Sequence, residues 1–147
     1  MAGVIVMEMI GYRDHALGSQ DFPDGIEVFA EEPLPKRGDF IGAVGLSGQP
    51  APLDALREAR GYTPELAASF LTLPKTMSLL LPDILRSDHS PFWLFGAPAV
   101  LVTDTANFRN PNYHEPTDTL GTIDFAFATS VARWVLAATL ILAEPVK

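Results

Sequence analysis

Two uninterrupted apolar runs stand out along the chain, and both are rich in β-branched residues. Residues 3–7 read Gly-Val-Ile-Val-Met, and residues 99–103 read Ala-Val-Leu-Val-Thr. Runs without polar alternation are typical of strands that are covered on both faces of a sheet. A third strand is predicted over residues 39–45. We therefore expect a sheet whose central strands lie between layers of helix.

Helical patterns separate these strands. Residues 52–60 carry leucines on one face and arginines on the other, and Gly61 favours a helix end there. Residues 66–73 are ambiguous, and a strand is one interpretation because a crossover through a helix calls for a parallel partner. A long apolar helix is predicted over 123–143. The alternation of strand and helix predicts an α/β sheet with crossover helices.

The remaining segments have less regular patterns. Residues 13–38 are rich in Gly, Pro and other turn residues and are predicted to form a long loop. Residues 77–85 are apolar but interrupted by a proline. A short helix is predicted over 91–95, with Ser87 or Asp88 as its capping residue.

The composition fits a single domain spanning residues 1–147. The chain has 147 residues, of which 48% are hydrophobic, so it is long and apolar enough to bury a core. Its formal net charge of -8 argues against nucleic acid and anionic membrane surfaces as partners, since both attract clusters of Lys and Arg. The absence of Cys excludes disulfides and thiolate metal sites, and it leaves the cellular compartment open.

No targeting segment is predicted. Residues 1–10 are apolar but lack the basic start and the small-residue cleavage site of a signal peptide. Residues 125–143 form the longest apolar run, and Arg133 lies near its middle. Because a charge at mid-span is costly in lipid, we expect a buried helix of a soluble domain and favour a membrane span less.

Residues 113–119, Tyr-His-Glu-Pro-Thr-Asp-Thr, concentrate the residue types that carry catalysis. An imidazole such as that of His114 is a common metal ligand, and a carboxylate such as Asp118 can fix its tautomer. The hydroxyl of Tyr113 is a candidate donor to an oxyanion. The alternative is a turn whose polar groups cap the following helix.

A second polar loop, residues 87–93, contains Asp88 and His89. The two loops flank the strand predicted at 99–103, which is the arrangement expected of a site at the edge of a sheet. Glu8 directly follows the first strand, and open α/β sheets bind ligands at such strand ends. On spacing alone, an ordinary polar strand end is the better interpretation of Glu8.

Several short motifs, in order along nearly the whole chain, resemble one family. They are Met-Glu-Met-Ile-Gly-Tyr at 7–12, Gly-Ser-Gln at 18–20, Ser-Asp-His-Ser-Pro-Phe-Trp at 87–93, Thr-Asp-Thr at 103–105, and Arg-Asn-Pro-Asn-Tyr-His at 109–114 followed by Asp-Thr at 118–119. Together they resemble the co-catalytic zinc aminopeptidases, metallopeptidase family twenty-eight, which also include glutaminyl cyclases. The resemblance implies an α/β fold of the zinc exopeptidase kind, a partial three-layer sandwich around a mostly parallel or mixed sheet, and two zinc ions in the complete site.

The resemblance also implies a role for particular residues. The acidic residue before Met-Ile-Gly is a ligand of one zinc, and that residue is Glu8 here. The His after Tyr is a ligand of the other zinc, which implicates His114, and Tyr113 would stabilise the oxyanion. For Asp88 and His89 it implies a supporting or positioning role without metal ligation.

The family's other site residues, a His, a bridging Asp and an adjacent Glu-Glu pair, precede the strand at 3–7, and nothing before Gly3 supplies them. Glu31 and Glu32 follow that strand and do not match. We therefore expect the carboxyl-terminal part of such an enzyme, with one ligand per zinc, weak or absent zinc binding and no general base.

The expected function is aminopeptidase-like hydrolysis at the amino terminus of a peptide or amino-acid derivative, inactive in this chain alone. One alternative is a non-catalytic binding or interaction module whose unpaired strand edge pairs with a second copy or a partner chain. Another is chemistry like that of glutaminyl cyclases, which use one zinc.

Overall fold

The computed structural model describes residues 2–78 and 80–143, in which four strands and four helices are joined by loops and short 3-10 turns. The strands are β1 (Val4–Met7), β2 (Ile41–Leu46), β3 (Ala68–Leu73) and β4 (Ala99–Thr103). The helices are α1 (Ala51–Ala59), α2 (Lys75–Ser78), α3 (His89–Leu94) and α4 (Phe125–Ala143).

The four strands form one mixed sheet in the order β1-β4-β2-β3. β1 pairs parallel with β4, and β2 pairs parallel with β3. β2 and β4 are antiparallel, with Val44 opposite Leu101. Since parallel neighbours need a crossover, α1 connects β2 to β3, as the alternating pattern predicts. The strand predicted over 99–103 is confirmed residue for residue, and the ambiguous segment at 66–73 contains β3.

Helices and loops cover both faces of this sheet. On one face, Leu56 of α1 and Trp134 of α4 belong to a buried cluster with Val100 of β4. On the other face, Trp93 of α3 and Ile26 of the long loop pack in a cluster with strand residues. The result is three layers around a mixed sheet, which confirms the predicted α/β fold class.

Three expectations about individual elements are wrong. β1 is an edge strand of the described sheet, because only β4 pairs with it, and its residues are only partly buried. An apolar run cannot distinguish a central strand from an edge strand that pairs on one side only. α3 begins at His89, two residues before the predicted Pro91, and neither Ser87 nor Asp88 caps it through a side-chain hydrogen bond.

α4 is buried on one side only. Among the described residues it is the one helix long and apolar enough to cross a membrane by length and composition. Trp134 and Val131 are fully buried against the sheet and α1, which is typical of a core helix. Leu136 and Leu140, however, are more than half exposed. The prediction of a buried helix therefore holds for one face and is wrong for the other.

A buried carboxylate joins the loops that follow β1 and β4. Asp104 is 1% exposed, and its Oδ2 accepts hydrogen bonds from the backbone N–H groups of Gly11 (3.1 Å) and Tyr12 (2.8 Å). Its Oδ1 accepts from the N–H of Ala106 at 3.1 Å. Asp104 therefore binds amides of both loops. Burial raises the pKa of Asp104 to about 6, while the backbone donors and the Arg109 guanidinium act in the opposite direction.

Arg109 ties the long loop to the same network. Its Nη1 donates to the carbonyl oxygen of Phe40 at 2.7 Å, and its Nε donates to Oε1 of Gln20 at 2.7 Å. Its guanidinium carbon lies 4.5 Å from the centre of the Phe40 ring. Burial lowers the pKa of Arg109 to about 10, and the nearby carboxylates of Asp104 and Asp39 partly offset this effect. The arginine therefore stays charged at neutral pH and holds residues 12–40 against the end of β4.

Trp134 should be a strong contributor to stability, since it is fully buried, donates its Nε1–H to the carbonyl oxygen of Leu56 at 2.9 Å and packs edge-on against Phe70. Replacing Trp134 with Ala should lower the free energy of unfolding by about 3–5 kcal/mol. Leu136→Ala, on the exposed side of the same helix, should change it by less than about 0.5 kcal/mol. Urea unfolding followed by circular dichroism measures both, and equal effects would contradict the assignment of the two faces.

Two buried groups should give opposing pH dependences of stability. Burial lowers the pKa of His89 to about 4. The contribution of His89 to the free energy of unfolding is therefore fully present above its ordinary pKa of about 6.5 and is lost as the pH falls from 6.5 toward 4. Asp104, whose pKa is raised to about 6, makes the protein less stable as pH rises from about 4 to 6. Between pH 4 and 6 the two effects offset each other.

Variants should separate the two effects. In Asp104→Asn only the effect of His89 remains, so the free energy of unfolding should increase more with pH between 4 and 6 than in the wild type. In His89→Phe only the effect of Asp104 remains, so it should decrease more with pH over the same range. Each difference in slope should reach at most about 1.4 kcal/mol per pH unit. Urea titrations at several pH values measure the slopes, and identical slopes in the wild type and both variants would show that neither group titrates as described.

Candidate functional site

A cavity of about 480 Å³ lies at the carboxyl ends of β1 and β4, on the face of the sheet opposite α1 and α4. Its inner wall is apolar, and polar side chains from three loops stand around it. Glu8, Tyr113 and His114 all line it. The inner wall includes Phe22, Ile26, Phe40, Val44, Leu71 and Leu101.

Glu8 enters the cavity from the end of β1. Its backbone N–H donates to the carbonyl oxygen of Val102 at 3.0 Å, which continues the pairing with β4 by one residue. Met7 stands one position earlier, so its side chain points to the other face of the sheet and Glu8 points to the cavity. The exposed carboxylate of Glu8 accepts a hydrogen bond from Oγ of Ser87 at 3.2 Å. Met9 then takes a left-handed backbone conformation with a φ of 55°, and the chain turns away from the strand.

Tyr113 and His114 enter the cavity from the loop after β4. A tight turn presents them: the N–H of Tyr113 donates to the carbonyl oxygen of Asn110 at 3.2 Å, and that of Asn112 donates to the Asn110 side chain at 2.9 Å. His114 has a left-handed φ of 59°. Its ring stacks on that of Tyr113 with 4.0 Å between centroids. The turn therefore exposes both aromatic rings side by side at the cavity.

Arg86 is a cavity residue that the sequence analysis missed. Its Nη2 donates to the hydroxyl oxygen of Tyr113 at 2.8 Å, and its Nη1 donates to Oδ1 of Asn107 at 3.0 Å. Its guanidinium carbon lies 5.5 Å from the centre of the Tyr113 ring. A guanidinium only donates, so the Tyr113 oxygen acts as the acceptor and its own hydrogen remains available to another group. The only signal in the sequence was a cation directly before the motif at 87–93.

Asp88, His89 and Asp118 lie outside the cavity lining. His89 is fully buried, and its ring packs edge-on against Trp93 with 4.3 Å between centroids. Asp88 is exposed at the start of α3. Asp118 is exposed and accepts a hydrogen bond from Oγ1 of Thr122 at 3.3 Å. None of the three is hydrogen-bonded to Glu8, Tyr113 or His114, and their positioning role stays a prediction.

The cavity brings together two groups with the donor chemistry of zinc, the carboxylate of Glu8 and the imidazole of His114. Within residues 2–78 and 80–143, no three His, Cys, Asp or Glu side chains are grouped so that they could hold a metal ion. Catalytic zinc usually takes three protein ligands. Glu8 and His114 therefore fit part of a zinc site, and the described residues do not complete one.

Glu31 lies away from this cavity. It pairs with Arg57 of α1, and the two line a smaller pocket of about 170 Å³ beside β3. The Arg57 side chain lowers the pKa of Glu31, through a hydrogen bond first and then through its charge. Glu32 is exposed beside it. The pair therefore lies at the surface, and Glu31 is engaged in an ion pair.

No model of a known protein family matches the chain. The protein YfbL of Escherichia coli K12, named as uncharacterized, is 33% identical over 133 residues, which are 90% of this chain and 39% of YfbL. The chain thus spans well under half the length of this relative.

A solved structure resembles the whole chain. The LapA aminopeptidase of Legionella pneumophila matches with a TM-score of 0.61 and 14% sequence identity, over 100% of this chain and 32% of LapA. At that identity the likeness concerns the fold. The chain therefore has an aminopeptidase-like α/β fold, and it spans about a third of the length of LapA.

Proposed function

We propose that this chain is part of a zinc-dependent, aminopeptidase-like hydrolase that cleaves the amino-terminal residue from a peptide or amino-acid derivative. The observation that carries the proposal is that Glu8, Tyr113 and His114 line one cavity at the carboxyl ends of β1 and β4. Open α/β sheets bind ligands at strand ends of this kind. The aminopeptidase-like fold supports the same assignment.

Glu8 and His114 would each hold one zinc ion. Their side chains are both exposed at the cavity, so neither is occupied by core packing. Zinc lowers the pKa of a bound water to about 7 and polarises a carbonyl group. Since each ion requires further ligands, this chain would act as the carboxyl-terminal part of a site that other residues complete.

Tyr113 would stabilise the oxyanion of the reaction. Arg86 occupies a lone pair of the Tyr113 oxygen, so the hydroxyl hydrogen is left to donate to a group in the cavity. The positive charge of Arg86 beside the hydroxyl also favours negative charge developing nearby. The apolar inner wall would receive the side chain of the substrate and exclude water around the reacting bond.

A non-catalytic interaction module is the second candidate. It is favoured by β1, an apolar strand whose outer edge is unpaired in the described sheet. In that case Glu8 and His114 would be relics of a metal site that no longer forms.

Zinc binding distinguishes these candidates. We expect the wild-type chain to bind zinc weakly, and Glu8→Gln and His114→Gln each to weaken binding by about tenfold or more. His15→Gln is the control, since that exposed imidazole lies outside the cavity, near Asp39. A competition titration against a zinc-binding dye measures the affinities. Equal affinity in all four proteins would contradict ligation by Glu8 and His114.

The isolated chain should not hydrolyse chromogenic amino-acid amides, even with added zinc, because the described residues do not supply a complete set of zinc ligands. Release of the chromophore over hours at neutral pH is the measurement, with an intact zinc aminopeptidase as the positive control. Robust turnover that His114→Gln abolishes would show that the chain is a complete enzyme.

A further inference from the structure

Arg86 is a cationic side chain at the cavity whose hydrogen-bond donors are only partly used. Its Nη1 donates to Oδ1 of Asp83 at 3.2 Å and to Oδ1 of Asn107 at 3.0 Å, and its Nη2 donates to the hydroxyl oxygen of Tyr113 at 2.8 Å. A guanidinium carries N–H donors on Nε and on both Nη atoms. Among the described residues, no acceptor pairs with Nε, and Tyr113 alone pairs with Nη2. The Nε–H and one Nη2–H of this half-exposed side chain therefore remain for a ligand.

The existing contacts orient the Arg86 guanidinium and leave its charge available. Its central carbon lies 5.5 Å from the centre of the Tyr113 ring, so the ring and the Asn107 amide together fix its position. Asp83 is itself 41% exposed, and ion pairs between exposed groups are weak. A surface ion pair with Asp83 is the alternative interpretation of Arg86, but it would leave the bonds to Tyr113 and Asn107 without a reason. The arginine is instead held in place at the lining of the cavity.

A fixed guanidinium with free donors favours a carboxylate as its ligand. Arg pairs with carboxylates through parallel N–H···O bonds, which are stronger than bonds between neutral groups. The chain has a net charge of -8, so most of its surface repels anions and an anionic group needs a local cation. Among the described residues that line the cavity, Arg86 is the only Lys or Arg. A carboxylate that enters the cavity would therefore bind at Arg86.

The contact with Tyr113 indicates which carboxylate reaches Arg86. In the proposed function, the Tyr113 hydroxyl donates to the oxyanion that forms from the scissile carbonyl group. The Arg86 Nη2 lies 2.8 Å from the oxygen of that hydroxyl, so a ligand group at Arg86 is a near neighbour of the scissile carbonyl. In a dipeptide, only the amide nitrogen and one carbon atom separate this carbonyl from the terminal carboxylate. In a longer peptide, an uncharged amide would occupy the same place.

The apolar part of the cavity accommodates the first side chain of such a dipeptide. Val44, Leu71 and Leu101 line the cavity and are each at most 6% exposed, so it extends down to the surface of the sheet. Since an apolar cavity of about 150 Å³ holds benzene, the cavity of about 480 Å³ has room for a large apolar side chain and the dipeptide backbone. Glu8 lines the same cavity and has the opposite charge to Arg86. The two residues therefore match the two charged ends of a dipeptide.

We propose that Arg86 binds the terminal carboxylate of a dipeptide with an apolar first residue, which makes such dipeptides the substrate class of this site. That the ligand is a substrate rests on the proposed function. Binding itself uses Arg86 and the apolar wall and requires no zinc, so it can be measured on the metal-free chain.

Two ligands that differ only at the carboxylate test the proposal on the metal-free chain. L-leucylglycine carries the carboxylate, and L-leucylglycine amide carries a neutral amide in its place. In NMR titrations, leucylglycine should bind at least about tenfold more tightly, because the amide cannot form the charge-assisted pair. The signal of the Arg86 Nε–H should shift with leucylglycine and stay in place with the amide. The net charge of -8 attracts the cationic amide more strongly, so nonspecific attraction would give the opposite order.

Variants of Arg86 test whether this side chain causes the difference. Arg86→Gln should weaken the binding of leucylglycine by about tenfold and leave the binding of the amide unchanged. Arg86→Lys keeps the charge but loses the planar fork, so it should weaken the binding of leucylglycine by less than Arg86→Gln does. The matched control is Arg133→Gln, which removes the same charge from α4 on the opposite face of the sheet and should change neither affinity.

Several outcomes would overturn the proposal. One is equal affinity for the two ligands, and another is no binding of either ligand at millimolar concentration. Free leucine that binds as tightly as leucylglycine, with the same loss in Arg86→Gln, would make an amino acid the ligand. Inorganic phosphate that binds as tightly would make Arg86 a general anion site.

The zinc titration is a separate measurement of the proposed function. A chain that binds leucylglycine but not zinc would contradict the zinc site alone. A chain that binds zinc but does not distinguish leucylglycine from its amide would contradict the role of Arg86 alone.

Discussion

The structure depends on one buried carboxylate at the junction of two loops. Asp104 follows β4 directly and accepts hydrogen bonds from backbone N–H groups of both the loop after β1 and the loop after β4. Burying a charge is costly unless it is hydrogen-bonded, and each buried N–H left without an acceptor costs about 1–3 kcal/mol. Asp104 and these amides therefore require one another. Glu8 leads into the first loop and Tyr113 and His114 belong to the second, so the Asp104 side chain, together with the bond from its own N–H to the carbonyl oxygen of Met9, holds the two sides of the cavity together.

Arg109 fixes the third wall of the cavity, which the loop over residues 13–38 forms. It carries a positive charge into the interior, binds the backbone at Phe40 and binds the side chain of Gln20. The loop over residues 13–38 has almost no regular structure of its own, yet it supplies Phe22 and Ile26 to the apolar wall. A loop this long keeps one conformation because a buried polar network and a few apolar anchors replace the hydrogen bonds of a helix or strand.

The parts that were predictable from the sequence are those with a strong local pattern. β4 is predicted residue for residue because its apolar run is uninterrupted and rich in β-branched residues, and four of its five residues are buried. β1 has the same pattern but lies at an edge of the described sheet. An apolar run indicates that residues avoid water, but it does not show whether a second strand pairs with them. Arg86 escaped notice because its partner Tyr113 is distant in the sequence. His89 packs against Trp93, outside the cavity lining, and the positioning role that its motif predicts stays a prediction. Spacing along the chain cannot show which way a buried side chain points.

Glu8 and the pair Tyr113 and His114 reach the cavity by different structural means. Glu8 lies one residue beyond β1, and its N–H donates to the carbonyl oxygen of Val102, so the sheet itself fixes the position of its backbone. Tyr113 and His114 are fixed by a turn in which His114 has a left-handed backbone conformation. A strand end and a turn face one cavity because Asp104 binds the amides of both loops, so a change at Asp104 should disturb both sides of the cavity together.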